Sequence, residues 1–347
     1  MKVVILAGGG GTRLFPLSRP NYPKQFLKIG SDKSLIGQTI ERYLKITQPK
    51  NIIIVTNEAY VENIKAELKE SNAEEANILV EPVSQNTAPA IALTVRYCLD
   101  ELGIDSSEVL FISPADHIIR PESCFLEKVE QAVEAARRNR IITFGVKPYK
   151  PETGYGYIKT GKCCESGFVV ESFVEKPDKE KAKEYLREGN YYWNSGMYAF
   201  SIDTFVEELG DYQPEVYRLF NSSYQELLQN FKYMPSISID YAIAEKSTRV
   251  VTIPIDVYWS DIGSWDAIYD LMDKDENGNA KIGDCITNNC SNSLMIGNNR
   301  IIAGVGLENI VVIETDDVIL IAKKGETQRV KDLVKDIESY NSNNNKI

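Results

Sequence analysis

Histidine is almost absent from this chain of 347 residues, which contains His117 and no other. Its six cysteines include no Cys-x-x-Cys pair. Structural zinc sites are built from several Cys or His ligands at short spacings, so this composition argues against a zinc site of that type.

Long apolar runs are also missing. The first run, Val3 to Ala7, is shorter than the apolar core of a secretory signal, and no stretch reaches the ~18 residues of a membrane span. The sequence therefore predicts a cytoplasmic protein with reduced thiols and no membrane association.

Positive charge is in deficit. Lys and Arg number 39 against 50 Asp and Glu, which gives a net charge of -11. A surface of this sign repels nucleic acid and anionic membranes, so neither is expected as a partner. Binding of a phosphate group is not excluded, because local donors decide it.

What the sequence does contain is an alternation of short β-branched runs and helical patterns from Lys2 to Val146. Such alternation predicts an α/β fold: a Rossmann-like, mixed, mostly parallel sheet flanked by helices. Ligands of such sheets bind beyond the carboxyl ends of the strands.

The sequence pattern changes near Gly283, after which short apolar runs are separated by Asn, Gly and Asp. This spacing predicts small β-coils or hairpins. We therefore expect a catalytic domain over residues 1–280, a small β-rich, β-helix-like domain over 281–340 that ends in a helix near Gln328 to Ser339, and a disordered tail over 341–347.

The most informative motif is the glycine run Gly8 to Gly11, which directly follows the first predicted strand. Successive glycine amides can form a concave anion site, and Arg13 and Lys24 add positive charge beside it. A tight hairpin is the alternative explanation of a glycine run, but the neighbouring cations favour a phosphate site.

Two common phosphate loops do not fit this motif. The Walker pattern fails because no Lys follows a glycine at the required position. The dinucleotide pattern places Arg13 or Leu14 where its last glycine belongs, which disfavours a dehydrogenase.

Further candidate residues lie at the ends of predicted strands. Glu81 offers a carboxylate that can accept hydrogen bonds from the N1 and N2 donors of guanine. Asn86 and Thr87 follow it, either as base contacts or only as a helix N-cap. Asp116 ends an apolar strand, where both turn residues and metal ligands are common.

The motif Gly8-Gly-Gly-Gly-Thr-Arg-Leu-Phe-Pro-Leu-Ser18, followed by Pro23-Lys24-Gln25-Phe26, resembles the signature of the sugar nucleotidyltransferases. The form with Pro-Lys-Gln-Phe-Leu is similar to the mannose-1-phosphate guanylyltransferase branch. The resemblance extends from Lys2 to about Ala267. One departure is Gln85, where the family usually has Arg, and this leaves the role of Gln85 open.

The resemblance implies the reaction of GTP with α-D-mannose 1-phosphate to give GDP-mannose and diphosphate. It implies Mg²⁺ as cofactor, held by Asp116 and Asp261, and Arg13, Lys24 and Lys176 as catalytic residues. The implied sugar contacts are Gly154, Glu175, Lys176 and Asn194. The implied nucleotide contacts are Leu6, Ala7, Gly8, Gly9, Gly10, Gly11, Thr12, Arg13, Lys24, Glu81, Asn86, Thr87, Pro114 and Asp116.

Alternatives remain at this stage. The chain could serve another sugar 1-phosphate or nucleoside triphosphate, since a pocket's selectivity can depend on one hydrogen bond. It could also be a non-catalytic regulatory protein that binds nucleotide sugars. The resemblance implies a homodimer through the C-terminal strands, which could equally pack only on their own domain.

Overall fold

The structure, a computed structural model, describes residues 1–344, and side chains as far as residue 340. The strands in chain order are β1 Lys2–Leu6, β2 Ile52–Asn57, β3 Asn77–Glu81, β4 Val109–Pro114, β5 Ile118–Arg120, β6 Ile141–Val146, β7 Gly156–Cys164, β8 Gly167–Glu175, β9 Tyr191–Ser201, β10 Val250–Ile255, β11 Tyr258–Ser260, β12 Ala280–Ile282, β13 Cys285–Asn288, β14 Leu294–Ile296, β15 Ile302–Val305, β16 Ile310–Glu314 and β17 Ile319–Lys323.

The helices alternate with these strands in the first part of the chain. They are α1 Leu35–Leu44, α2 Val61–Glu70, α3 Thr87–Asp100, α4 Glu122–Ala136, α5 Lys179–Glu188, α6 Ile202–Tyr212, α7 Pro214–Phe220, α8 Tyr224–Asn230, α9 Trp265–Leu271 and α10 Val330–Asn344. None of the described helices combines the length and the apolar character that crossing a membrane requires.

A nine-stranded sheet in the order β3-β2-β1-β4-β9-β6-β10-β8-β7 forms the centre of the fold. Strands β3, β2, β1 and β4 run parallel, as do β6 and β10. Strand β9 lies antiparallel to β4 and β6, and β8 is antiparallel to β7 and β10. The sheet is mixed as expected, but its antiparallel share is larger than the description "mostly parallel" implies.

Both faces of the sheet are covered. Alternate residues of a strand point to opposite faces, and in β1 both Val3 and Val4 are fully buried. Val4 belongs to the hydrophobic core formed with α3 and α6. On the opposite face, Phe111 of β4 meets the ring of Tyr43 in α1 at 5.4 Å between ring centroids. Phe125 of α4 packs on that face as well, against Phe144.

The chain divides into two compact units. One comprises Met1–Gly9 and Gly37–Trp259 and contains the nine-stranded sheet; the other comprises Gly10–Ile36 and the chain from Ser260 on. In the second unit, β12, β14 and β16 pair in parallel, as do β13 and β15, which is the geometry of β-coils. The domain boundary at residue 280 stays a prediction.

Helices α7 and α8 are separate elements because Ser223 starts the second of them as its N-cap. One sequence prediction needs correction. The final helix begins at Val330 and continues to Asn344, so part of the tail predicted from residue 341 is helical. Residues 345–347 of that tail lie outside the described residues.

Candidate active site

The first part of the glycine loop is held by the sheet. The Ala7 amide donates to the carbonyl of Val55 at 2.8 Å, and the Ala115 amide donates to the carbonyl of Leu6 at 3.1 Å. Gly8 follows immediately, and a Cβ atom there would overlap Oε1 of Glu81. The loop backbone therefore passes close to the Glu81 carboxylate, which a side chain at position 8 would displace.

Glu81, at the end of β3, is a buried carboxyl with 5% exposure. Burial raises its pKa to about 7, although a hydrogen bond with Ser84 opposes this rise. Near neutral pH the group therefore exchanges between an acceptor-only carboxylate and a neutral acid that can donate.

The second part of the glycine loop belongs to the other compact unit. Gly11 has a φ of +55°, and a Cβ atom there would lie 2.6 Å from Cβ of Lys24. Lys24 is 8% exposed, and its ammonium group donates to the backbone carbonyl of Asp261. The structure thus brings Gly11, Lys24 and Asp261 together, three residues separated by up to 250 positions of sequence.

Arg13 lies in a short 3₁₀ turn, Thr12–Leu14, directly after the glycines. Among the residues whose side chains the structure describes, 1–340, its guanidinium group forms no hydrogen bond and no ion pair. A cation in this state keeps all its donors available for an anion.

Asp261 sits in an unusual backbone. The next residue, Ile262, is β-branched and has a φ of +46°, a conformation that such residues rarely adopt. The Gly263 amide donates to Oδ1 of Asp261 at 3.0 Å, and a Cβ at Gly263 would lie 2.7 Å from Oδ2. Strain of this kind concentrates at functional sites, and here it orients a carboxylate.

Asp116 follows β4 in the first unit, with its side chain 27% exposed. His117 Nε2 lies 3.9 Å from Asp116 Oδ1, and His117 Nδ1 accepts a hydrogen bond from the indole of Trp259 at 3.3 Å. Asp116 and Asp261 belong to different units, and their pairing at one ion stays a prediction. Among the residues that the structure describes, no cluster of three or more His, Cys, Asp or Glu side chains is arranged to hold a metal.

The segment that follows Glu81 forms the N-terminus of α3. Asn86 is the N-cap of α3 with a φ of +71°, and its side chain accepts from the Thr87 amide at 2.9 Å. The Thr87 hydroxyl accepts from the amide of Ile239 at 2.8 Å. Gln85 donates to the carbonyl of Lys232 at 3.1 Å, which gives this departure from the family pattern a structural role. Base contact by Asn86 and Thr87 stays a prediction.

The predicted sugar residues lie together in the first unit. Lys176 forms an ion pair with Glu175, and its backbone has a φ of +49°. A Cβ at Gly156 would lie 2.5 Å from Oε2 of Glu175, so this carboxylate packs against the glycine loop that starts at Gly154. The Gly154 amide itself donates to Glu152 at 3.1 Å.

Asn194, on β9, is 8% exposed and lies inside a hydrogen-bond network. Its amide contacts Thr143, Tyr198 and Asp240. Asp240 and Tyr198 were not among the predicted sugar contacts. Asp240 lies 46 residues from Asn194 in the chain, so no local spacing in the sequence connects the two residues.

An aromatic chain was also missed. Tyr149, Trp193, Tyr155, Trp259 and His117 contact one another in this order, each pair edge to face with ring centroids 5.0 to 5.3 Å apart. Edge-to-face contacts of this kind stiffen a surface, and here they support the loop of Gly154 beside the strand end that carries Asp116.

Comparisons with known proteins identify the family of the chain. The family described as "Nucleotidyl transferase" matches residues 2–278, and the "MannoseP isomerase/GMP-like beta-helix domain" matches residues 283–337. The chain belongs to the nucleotidyl transferase family. Membership implies a nucleoside triphosphate and a sugar phosphate as substrates and a divalent metal as cofactor.

Individual relatives of this nucleotidyl transferase are similar along nearly the whole chain. A mannose-1-phosphate guanylyltransferase of Salmonella montevideo is 37% identical, over 97% of this chain and 74% of the relative. The alginate biosynthesis protein AlgA of Pseudomonas aeruginosa is 40% identical, over 97% and 72%. A crystal structure from Thermus thermophilus, titled mannose-1-phosphate geranyltransferase, superposes with a TM-score of 0.87 at 30% identity, covering 97% of this chain and 99% of that one.

Proposed function

We propose that the chain is a mannose-1-phosphate guanylyltransferase, which converts GTP and α-D-mannose 1-phosphate into GDP-mannose and diphosphate. The observation that carries this proposal is the packing of Gly11 on Lys24, whose ammonium group donates to the backbone carbonyl of Asp261. Arg13 follows this glycine in the chain and is unpaired among the residues with described side chains. The names of the similar proteins support mannose and guanine as the sugar and the base.

The triphosphate is held by the glycine loop. Backbone amides of Gly8 to Gly11 and the cations of Arg13 and Lys24 face the phosphate oxygens and stabilise the departing diphosphate. The phosphate oxygen of the sugar attacks the α-phosphorus in line, and no covalent enzyme intermediate is required. The role of the protein is to orient two anions and to offset their repulsion.

The guanine is recognised by the Glu81 carboxylate, which in its ionised form accepts hydrogen bonds from N1 and N2 of the base. Support comes from the burial of Glu81 and from its contact with Gly8, where the nucleotide loop begins. A buried acceptor discriminates strongly against bases that lack these donors, because it would be left unpaired.

The hexose is bound beside Gly154, Glu175 and Asn194, and the ammonium group of Lys176 holds its phosphate. Support comes from the ion pair of Lys176 with Glu175 and from the close packing of Glu175 on Gly156. Lys176 is 53% exposed, so its side chain can leave this ion pair for an incoming phosphate.

We propose Mg²⁺ as the metal, held by Asp116 and Asp261. Carboxylates are the ligands that Mg²⁺ prefers, and a site with two of them leaves positions for water and phosphate oxygens. When bound, the ion supplies positive charge beside the phosphates and lowers the repulsion between the two substrates.

We further propose a homodimer in the cytoplasm. The β-coils expose large apolar side chains, among them Ile286 and Val305, whose exposed fractions are 65% and 74%. Such side chains favour burial against a second copy. In the described part of the chain all six cysteines are free thiols, which is compatible with a reducing compartment.

The test is a panel of nucleoside triphosphates crossed with hexose 1-phosphates, followed by diphosphate release with Mg²⁺ present. We expect the largest kcat/KM with GTP and mannose 1-phosphate. A preference for UTP or dTTP, or for glucose 1-phosphate, would replace the assigned substrates within the same family. Release with no pair at all would favour the alternative of a regulatory protein that binds nucleotide sugars.

A further inference from the structure

The network around Asn194 contains one group that can only accept hydrogen bonds. The Asp240 Oδ1 atom lies 2.6 Å from the Tyr198 hydroxyl and 2.8 Å from Nδ2 of Asn194. An ionised carboxylate has no hydrogen to donate, so both contacts are donated to it. Burial and the neighbouring Asp240 raise the pKa of Tyr198 well above its ordinary value, so its hydroxyl keeps its hydrogen.

This direction determines the rest of the network. Asn194 directs its NH₂ group towards Asp240 and the Tyr198 oxygen, the latter at 3.2 Å. Its carbonyl oxygen then faces Thr143, whose hydroxyl lies 2.8 Å away. Both hydrogens of the Asn194 amide are thus used within the protein, and none remains to donate to a ligand.

Asp240, in contrast, keeps one oxygen available. Its Oδ2 atom accepts no hydrogen bond from any residue whose side chain the structure describes, 1–340, and the residue is partly exposed. It lies in a single π-helical turn, Asp240–Ala244, a conformation that is rare and frequent at functional sites. Its charge acts on the Tyr198 hydroxyl together with that of Glu175, a predicted sugar contact.

We propose that Asp240 is a specificity-determining residue of the hexose subsite, whose Oδ2 accepts a hydrogen bond from a hydroxyl of the bound hexose. Tyr198 and Asn194 are positioning residues that hold the carboxylate through Oδ1. This assignment rests on the proposed function, and it transfers the direct hydroxyl contact from Asn194 to Asp240. Carboxylates are strong acceptors for sugar hydroxyls, and one whose other oxygen is already held loses little freedom on binding.

The variant Asp240→Asn tests this sharply. The carbonyl oxygen of the new amide faces the donors of Tyr198 and Asn194, which places its NH₂ group at the former position of Oδ2. The internal network is kept, while the acceptor offered to the hexose becomes a donor. Glu245→Gln is the matched control, because Glu245 is an exposed acid close to the same carboxylate with no assigned role.

The measurement is calorimetric binding of GDP-mannose and of GDP to the wild type and to both variants. We expect Asp240→Asn to weaken GDP-mannose roughly 10- to 100-fold, the range for a hydrogen bond to a charged group, and to change the Kd of GDP less than about twofold. Tyr198→Phe, which removes one positioning donor, is expected to weaken GDP-mannose by a smaller factor. Glu245→Gln is expected to bind both ligands as the wild type does.

Equal binding of GDP-mannose by Asp240→Asn and the wild type would overturn the assignment. A parallel loss of GDP binding would also overturn it, since it would indicate a structural role. If the wild type prefers another sugar nucleotide, the proposed substrates are wrong. Asp240 is then judged by the same comparison, made with that sugar nucleotide and its parent nucleoside diphosphate.

Discussion

At the residue scale, the burial of Glu81 affects how this carboxyl group can recognise a base. The carboxyl ends β3, packs on Gly8 and has its pKa raised to about 7 by desolvation. Only the ionised form accepts both hydrogen bonds from guanine. The nucleotide affinity is therefore expected to depend on pH within the physiological range.

We predict that kcat/KM for GTP falls about tenfold between pH 8 and pH 6, because a group with a pKa near 7 loses most of its charge over that interval. Glu81→Gln is expected to lower kcat/KM at pH 8 and to abolish this pH dependence. Steady-state rates at saturating sugar phosphate provide the measurement. A variant that keeps the same profile would assign the titration to another group.

The raised pKa of Glu81 also makes the free energy of unfolding depend on pH. The pKa of Glu81 is higher in the folded state than its ordinary 4.5, so the fold binds the proton more tightly than the unfolded chain does. The free energy of unfolding then decreases as the pH rises from about 4.5 to about 7, by up to about 3 kcal/mol. Glu81→Gln removes this penalty, so reduced activity at pH 8 should not come with reduced stability.

At the scale of elements, the β-coils depend on a buried carboxylate at the end of β16. Glu314 is 2% exposed and accepts hydrogen bonds from the backbone amides of Asn298, Asn299 and Arg300 and from the Arg300 guanidinium. These donors, with the Asn298 amide first, hold the pKa of Glu314 below its ordinary value. One side chain thus closes the turn that precedes β15.

We predict that Glu314→Gln destabilises the β-coils at neutral pH, because its NH₂ group would face backbone donors. Because the pKa of Glu314 is lower in the folded state, its ionised form stabilises the fold, fully at pH values above the ordinary pKa of 4.5. This stabilisation is lost as the pH falls through the pKa of the folded state. The difference in urea midpoint between wild type and variant should therefore be largest at neutral pH and should decrease as the pH falls below 4.5. Glu308→Gln, an exposed change in the same region, is the control; a pH-independent difference would contradict this role.

Local sequence patterns predicted some of the strands and helices but not their long-range pairing. The predicted alternation of strands and helices from Lys2 to Val146 is confirmed by β1 to β4 and α1 to α4, because each pattern lies within a single element. Strand β9 was not recognised as a strand, since its Trp193–Asn194–Ser195 stretch looks like a binding motif. Its antiparallel insertion between β4 and β6 is a long-range pairing that no local pattern encodes.

At the scale of the whole molecule, the exposed apolar side chains of the β-coils bear on assembly. Ile286 of β13 lies opposite Ala303 of β15, and Asn288 lies opposite Val305, so Ile286 and Val305 mark a continuous exposed face. A face of this kind is costly to leave in water and favours association.

We predict a dimer in sedimentation velocity at micromolar concentrations, and a monomer for the double variant Ile286→Glu/Val305→Glu, since two buried charges on each copy would oppose contact. Ile319→Glu, an exposed apolar position on β17, serves as the control and should remain dimeric. A monomeric wild type, or a dimer unaffected by the double variant, would place any interface elsewhere.

The amino-acid sequence by itself determined the α/β class, the glycine loop and its cations, because strands, helices and anion loops are encoded by neighbouring residues. Tertiary structure alone decided that Gly10–Ile36 forms one compact unit with the chain from Ser260 on, and that Lys24 meets Asp261. It also decided that Asn194 donates a hydrogen bond to Asp240, 46 residues away in the chain. The physical reason is that packing and hydrogen bonding between distant segments depend on how the whole chain closes, which no local spacing records.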